Sequence, residues 1–205
     1  MTAPTGPAKP AFIGLSGAMA SGKSEALAAL GRLGAKTLST DQVTHELLDD
    51  PDTLARLVER WGGDVGPGGR VDRAKVGEIV FADPDELRWL ESTLHPLVGE
   101  RVAAWRGELD AGTELAVVEV PLLFEAGMEP FFDATLVVVA GDERRARWAG
   151  ERGTGAFEGR SARQLTEQEK AERATFVVAN DGDLDDLERS LRELWPQLVA
   201  AREGE

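Results

Sequence analysis

Residues 17–24 read Gly17-Ala18-Met19-Ala20-Ser21-Gly22-Lys23-Ser24, and no other stretch narrows the folds open to this chain so far. An apolar run, Ala11-Phe12-Ile13-Gly14-Leu15, precedes it with the character of a strand. Glu25-Ala26-Leu27-Ala28-Ala29-Leu30 follows with apolar residues at helical spacing. Strand, glycine-rich turn and helix in that order lets successive backbone N–H groups converge on an anion, with the positive end of the helix dipole beneath them. Gly17 and Gly22 permit the backbone angles such a turn needs. The octet G-x-x-x-x-G-K-S is therefore read as a phosphate-binding P-loop. In that reading, residues Gly17, Ala18, Met19, Ala20, Ser21 and Gly22 cradle the phosphates of a nucleotide. Lys23 brings a mobile cation to the β- and γ-phosphates, and the Ser24 hydroxyl is placed to ligate Mg²⁺ arriving with the nucleotide. The plainer alternative is an ordinary glycine-rich strand–helix turn, which the agreement of pattern and context disfavours.

At 205 residues the chain is long enough for one sizeable core, or a core with a small inserted lobe. Thirty-seven acidic against 23 basic residues give a formal charge of −14, which argues against a broad nucleic-acid or anionic-membrane footprint but not against a nucleotide. There is no cysteine, so disulfides and thiolate metal sites are excluded. No histidine or carboxylate cluster has the spacing of a structural metal site. Residues 1–10 are polar and proline-rich and are expected to form a flexible leader without the apolar core of a signal peptide. No apolar run approaches the ~20 residues needed to cross a bilayer. A cytoplasmic protein is expected, a monomer or small homo-oligomer without nucleic-acid or membrane partners.

Taken in order, the chain predicts strand Lys36 to Thr40, ending at Asp41, on the sheet edge where open α/β sheets bind ligands. Asp41 reads either as a carboxylate that accepts the proton of a substrate hydroxyl or as the N-cap of the next helix. Residues from about 42 to 110 are mostly helical in pattern. Asp52 is expected to open a helix ending at Trp61, Asp72 and Asp83 to act as caps, and Pro84 to take a first helical position. A bend is expected at His95-Pro96. His95 reads either as a contact to a second substrate or as a histidine satisfied at a helix junction.

Leu115 to Val120 is a strand, followed by Pro121-Leu122-Leu123-Phe124-Glu125, and Glu119 holds the place of an acidic residue ending a Walker B strand. Ala134 to Val139 is a fourth strand, apolar throughout as one buried on both faces should be. Arg144, Arg145, Arg147, Arg152, Arg160 and Arg163 then concentrate positive charge in an acidic chain. They suit a lid over residues 144–173 that closes on polyphosphate and excludes water; singly, each reads equally as part of a solvated helix face. Thr175 to Ala179 is the fifth strand, leading into Asn180, and the last helix covers about 184 to 199.

These motifs together resemble the dephospho-CoA kinase family. The resemblance spans about residues 12–195. It rests on the opening around Gly17 to Ser24, on Asp41, Val43, His45 and Glu46, and on Val76 to Phe81 with His95-Pro96. It continues through Val120 to Glu125, then Arg152-Gly153, Arg160, Gln164, Lys170 and Asn180-Asp181-Gly182. The resemblance implies ATP-dependent phosphorylation of the ribose 3′-hydroxyl of dephospho-CoA. It further implies Lys23, Asp41 and Arg152 as catalytic residues, with Asp41 the base. By the same resemblance, ATP is expected to be held by residues 17–24 with Arg147, Arg152, Arg160 and, beside the adenine, Asn180. The acceptor is expected, on the same ground, to be held by Asp41, His95, Pro121, Leu122 and Phe124. Glu119, His45 and Thr175 depart from the family's usual Asp, Arg and Asp.

Two rivals are weighed: another small-molecule P-loop kinase, and a nucleotide-switch protein, which would carry segments responding to the γ-phosphate. The fold expected is a three-layer α/β P-loop NTPase with a central five-stranded parallel sheet. It forms a single kinase domain over residues 11–205, with a helical acceptor-binding insertion and a lid.

Overall fold

The computed structural model describes residues 9–141 and 164–202. Their contacts divide the chain into two compact units: residues 1–39 with 108–205, and residues 40–107.

The first unit is built on five parallel strands: β1 (Ala11–Gly17), β2 (Lys36–Ser39), β3 (Leu115–Glu119), β4 (Ala134–Val139) and β5 (Phe176–Ala179). They lie in the order β2-β3-β1-β4-β5. All seven residues of β1 and all five of β3 are buried, which explains why both read as unbroken apolar runs. The edge strand β5 alternates instead, with Val178 buried and Val177 exposed. One face of the sheet packs on α1 (Lys23–Leu33) and α7 (Leu184–Ala200), through Ala26, Ala29, Leu30, Leu187, Leu191 and Leu198. On the other face Phe12 stacks on Phe132 at 5.1 Å. There a Cβ on Gly14 would come within 2.5 Å of Leu123, so only glycine fits. The helix α6 (Glu167–Arg173) lies against β1 and β4. Helices on both faces of a parallel sheet make the three-layer α/β architecture expected.

Just before the first β4–β5 pair, Leu136 with Phe176, Thr135 N–H donates to Thr175 Oγ1 (3.1 Å) and Thr175 N–H to Thr135 Oγ1 (3.0 Å). Thr175 is thus tied to β4 by side chains and stands just outside β5, which begins one residue later than expected.

The second unit is helical: α2 (Thr40–Leu48), α3 (Pro51–Trp61), α4 (Arg73–Ala82) and α5 (Pro84–Gly107). The helix start expected at Asp52 lies earlier. Asp50 is the cap, its Oδ1 accepting from Asp52 N–H at 3.0 Å and Thr53 N–H at 3.2 Å, while Pro51, which has no N–H to satisfy, takes the first turn. Asp72 caps α4 as expected. The bend expected at His95-Pro96 does not end α5, which carries Pro96 inside it. Strand β2 is shorter than expected because Thr40 already belongs to α2, so Asp41 lies in that helix's first turn instead of capping it. Within this unit Glu86 accepts from Arg60 Nη2 (2.8 Å) and Trp61 Nε1 (2.8 Å). These bonds, Arg60's first, hold the Glu86 carboxyl below the usual glutamate range. This tie is present above the ordinary glutamate value and is lost as pH falls through the lowered one.

Leu136 is fully buried in β4 between the sheet and its helices. Leu136→Ala should lower unfolding free energy by about 2–5 kcal/mol, read from urea denaturation with an unchanged m-value.

Candidate active site

The carboxyl ends of β1, β3 and β4, together with the residue after β5, surround the phosphate loop. Because β1 is hydrogen-bonded on both sides, residue 17 enters the loop from a fixed position: Gly17 is registered with Val138, and Leu15 with Glu119. A Cβ at Gly17 would sit 2.5 Å from the Val138 carbonyl, which leaves room only for glycine. Within the loop Ser21 N–H closes on Ala18 O at 3.3 Å, and Ala20 takes a positive φ of 60°. Gly22 precedes α1 with φ 92° and offers no side chain to cap it. The first-turn N–H groups of α1 are thereby left for an anion instead of a capping oxygen.

The Lys23 ammonium folds back over the loop, donating to Ala18 O (2.7 Å) and Gly17 O (3.1 Å). Ser24 is exposed, and its hydroxyl donates to Glu119 Oε1 at 3.4 Å. Glu119 itself is only 6% exposed at the end of β3. A hydroxyl and a carboxylate are the hard oxygen donors that Mg²⁺ selects, so these residues fit the ion that accompanies ATP. Asn180 is buried, and its Nδ2 donates to Ser21 O at 2.9 Å.

Below the loop lies a buried polar knot. Lys170, on α6, is fully buried, with its ammonium 3.0 Å from Pro121 O and 3.0 Å from Glu125 Oε1. Ser16 Oγ also donates to Pro121 O at 3.2 Å, and Leu165 N–H to Glu125 Oε1 at 2.9 Å. A buried lysine needs such a partner. One sequence signal marks it: Lys170 is the only lysine after Lys75 in a chain that otherwise uses arginine. The knot fixes the turn after β3. There Leu122 is 42% exposed, while Phe124 is buried with the Arg173 guanidinium 5.4 Å from its ring centroid.

The residues expected to bind ATP within 17–24 and Asn180 therefore share one site, and Pro121 and Leu122 lie on the turn next to it. Phe124 faces the interior of the first unit. Asp41 and His95 belong to the second unit, both exposed, on α2 and α5. Arg147, Arg152 and Arg160, and most of the expected lid, fall outside the described residues.

A parallel sheet in this order, with a G-x-x-x-x-G-K-S loop running from its central strand into a helix, defines a P-loop nucleotide-binding protein. The family model described as dephospho-CoA kinase matches residues 11–186. Relatives named dephospho-CoA kinase include that of Streptomyces avermitilis, 39% identical over 91% of this chain and 93% of its own. That of Deinococcus radiodurans is 38% identical over 96% of each. The solved structure of TT1252 from Thermus thermophilus superposes with a TM-score of 0.77 at 34% identity, covering 93% of this chain and 99% of that one. The chain belongs to the dephospho-CoA kinase family.

Removing one partner of the knot should be far more costly than removing both. Lys170→Met should lower unfolding free energy by about 3–5 kcal/mol, since the Glu125 carboxylate is left without its cation. Lys170→Met with Glu125→Leu should recover most of the loss in the same denaturant titration.

Proposed function

We propose that this protein transfers the γ-phosphoryl group of ATP to the ribose 3′-hydroxyl of dephospho-CoA, yielding coenzyme A and ADP. The observation that carries this reading is the extent of the family match, which takes in both the phosphate loop and the whole helical unit. In the reaction the acceptor oxygen forms a bond to the γ-phosphorus, the bond to the β–γ bridging oxygen breaks, and ADP leaves with that electron pair. The hydroxyl proton passes to a carboxylate, the role proposed for Asp41.

Phosphoryl transfer of this kind demands positioning and charge stabilisation more than covalent chemistry. The backbone of residues 17–22 and the start of α1 hold the phosphates. Lys23, already poised over the loop carbonyls, moves its charge onto the β- and γ-oxygens. Ser24 Oγ, with the Glu119 carboxylate beside it, is proposed to hold the Mg²⁺ that accompanies ATP, which would supply charge neutralisation for the transferring phosphoryl group. Arg152 and Arg160, with Arg147, are proposed to clamp the triphosphate. His95 and the turn carrying Pro121, Leu122 and Phe124 are proposed to hold the acceptor, with Phe124 contributing by supporting the turn from beneath. Among the described residues no helix is long and apolar enough to cross a membrane, and a cytoplasmic location goes with this reading.

The deciding experiment is an acceptor screen with Mg-ATP, following ADP release and product mass, with dephospho-CoA beside adenosine, AMP, CMP and pantetheine phosphate. Phosphate added to dephospho-CoA alone supports the proposal; turnover of another acceptor in its place discards it. Asp41→Asn should lower kcat by about 10²-fold or more while leaving the KM for ATP nearly unchanged. Lys23→Ala should reduce transfer below detection.

A further inference from the structure

Asn180 follows β5 and is 1% exposed. Its backbone N–H donates to Val139 O at 2.8 Å, which seats it against β4. Its side-chain nitrogen donates to the Ser21 carbonyl at 2.9 Å, and chemistry fixes that orientation, because a carbonyl oxygen only accepts. The same nitrogen lies 2.0 Å from the point where a Cβ on Gly22 would stand. The amide thus occupies the space that the glycine leaves open, against a residue whose φ of 92° already disfavours any side chain.

A trans peptide is planar, so its C=O and the following N–H point in opposite directions. No peptide among the described residues is cis. Drawing the Ser21 carbonyl toward Asn180 therefore aims the Gly22 N–H away from Asn180. Ser21 and Gly22 are both buried, so nothing from solvent competes for this arrangement. A residue that reads a nucleobase must offer a surface to it, and Asn180 offers almost none.

We infer that Asn180 is a positioning residue for the nucleotide's phosphates, acting through the Ser21–Gly22 peptide, and is not a reader of adenine. This rests on the loop being the ATP-phosphate site. It replaces the adenine-side role that family resemblance suggests with one derived from the loop's own hydrogen bonding.

The test compares wild type with Asn180→Ala and with Asn180→Asp, which keeps the volume but sets an oxygen against the Ser21 carbonyl. Affinities are measured for ADP, inorganic tripolyphosphate and adenosine, together with kcat/KM for ATP and GTP. Expected is a loss of about tenfold or more for ADP and tripolyphosphate, since a buried acceptor loses its donor. Adenosine affinity and the ATP-to-GTP ratio should stay at wild-type values, a pattern that general destabilisation would not produce. Equal losses for adenosine and ADP, or a shifted ATP-to-GTP ratio, would overturn the inference in favour of base reading. Unchanged ADP and tripolyphosphate affinity would overturn it outright. Should neither variant melt cooperatively, the wild-type protein decides. Its Asn180 side-chain amide NMR signal should move with tripolyphosphate and not with adenosine, and the reverse refutes the inference. Wild-type protein that binds neither ADP nor tripolyphosphate would instead remove the ATP site itself, an outcome visible before any variant is made.

Discussion

The pairing of β1 with a parallel neighbour on each side is the constraint from which the site follows. A glycine-rich loop left to itself samples many conformations, because glycine loses more freedom on ordering than any other residue. Here the loop begins at the end of a strand whose seven residues are all buried and whose register to β3 and β4 leaves no slack. It ends at the first turn of a helix packed into the core through Ala26, Ala29 and Leu30. With both ends anchored, and Asn180 holding the Ser21 carbonyl between them, little freedom remains to be lost when an anion arrives. That preorganisation is what makes an array of backbone N–H groups an effective electrostatic site.

The Lys170 knot does comparable work one layer down. Three segments distant in sequence, the end of β1, the turn after β3 and α6, meet at the Pro121 carbonyl and the Glu125 carboxylate. An apolar cluster could fill that volume, but it would not dictate which way the Pro121 carbonyl faces. A fully buried ammonium does, because its donors must be satisfied. α6 itself starts from a reciprocal capping box, Thr166 with Glu169, so the helix that carries the lysine has a defined beginning.

The sequence was most legible where burial is symmetric. β3 and β4 are covered on both faces, so their apolar runs end where the strands do, within a residue. The phosphate loop was legible because its glycines, lysine and serine carry the chemistry in a fixed spacing. Ends set by competition between similar residues were harder. Asp50 and Asp52 are both acceptable caps, and only the place of Pro51 decides between them. The Ser24–Glu119 bond, the Lys170–Glu125 pair and the Asn180–Ser21 bond were not legible at all. Each joins residues far apart in the chain, and no local periodicity records a contact that only the sheet order creates. Glu119 illustrates this: its departure from the usual Asp was visible, but not that the longer side chain would still reach Ser24.

The strand order also has a consequence for how the chain is made. β1 is made before its partners β3 and β4, which come only after the entire helical unit of residues 40–107. β2, the next strand made, pairs with β3 and not with β1. A nascent chain therefore carries β1, fully buried in the finished sheet, without an edge to join until the helical unit has been made, while the helices of that second unit, rich in local contacts, can close first. The window in which β1 is exposed to mispairing is set by translation speed through the helical unit, not by the stability of the finished sheet.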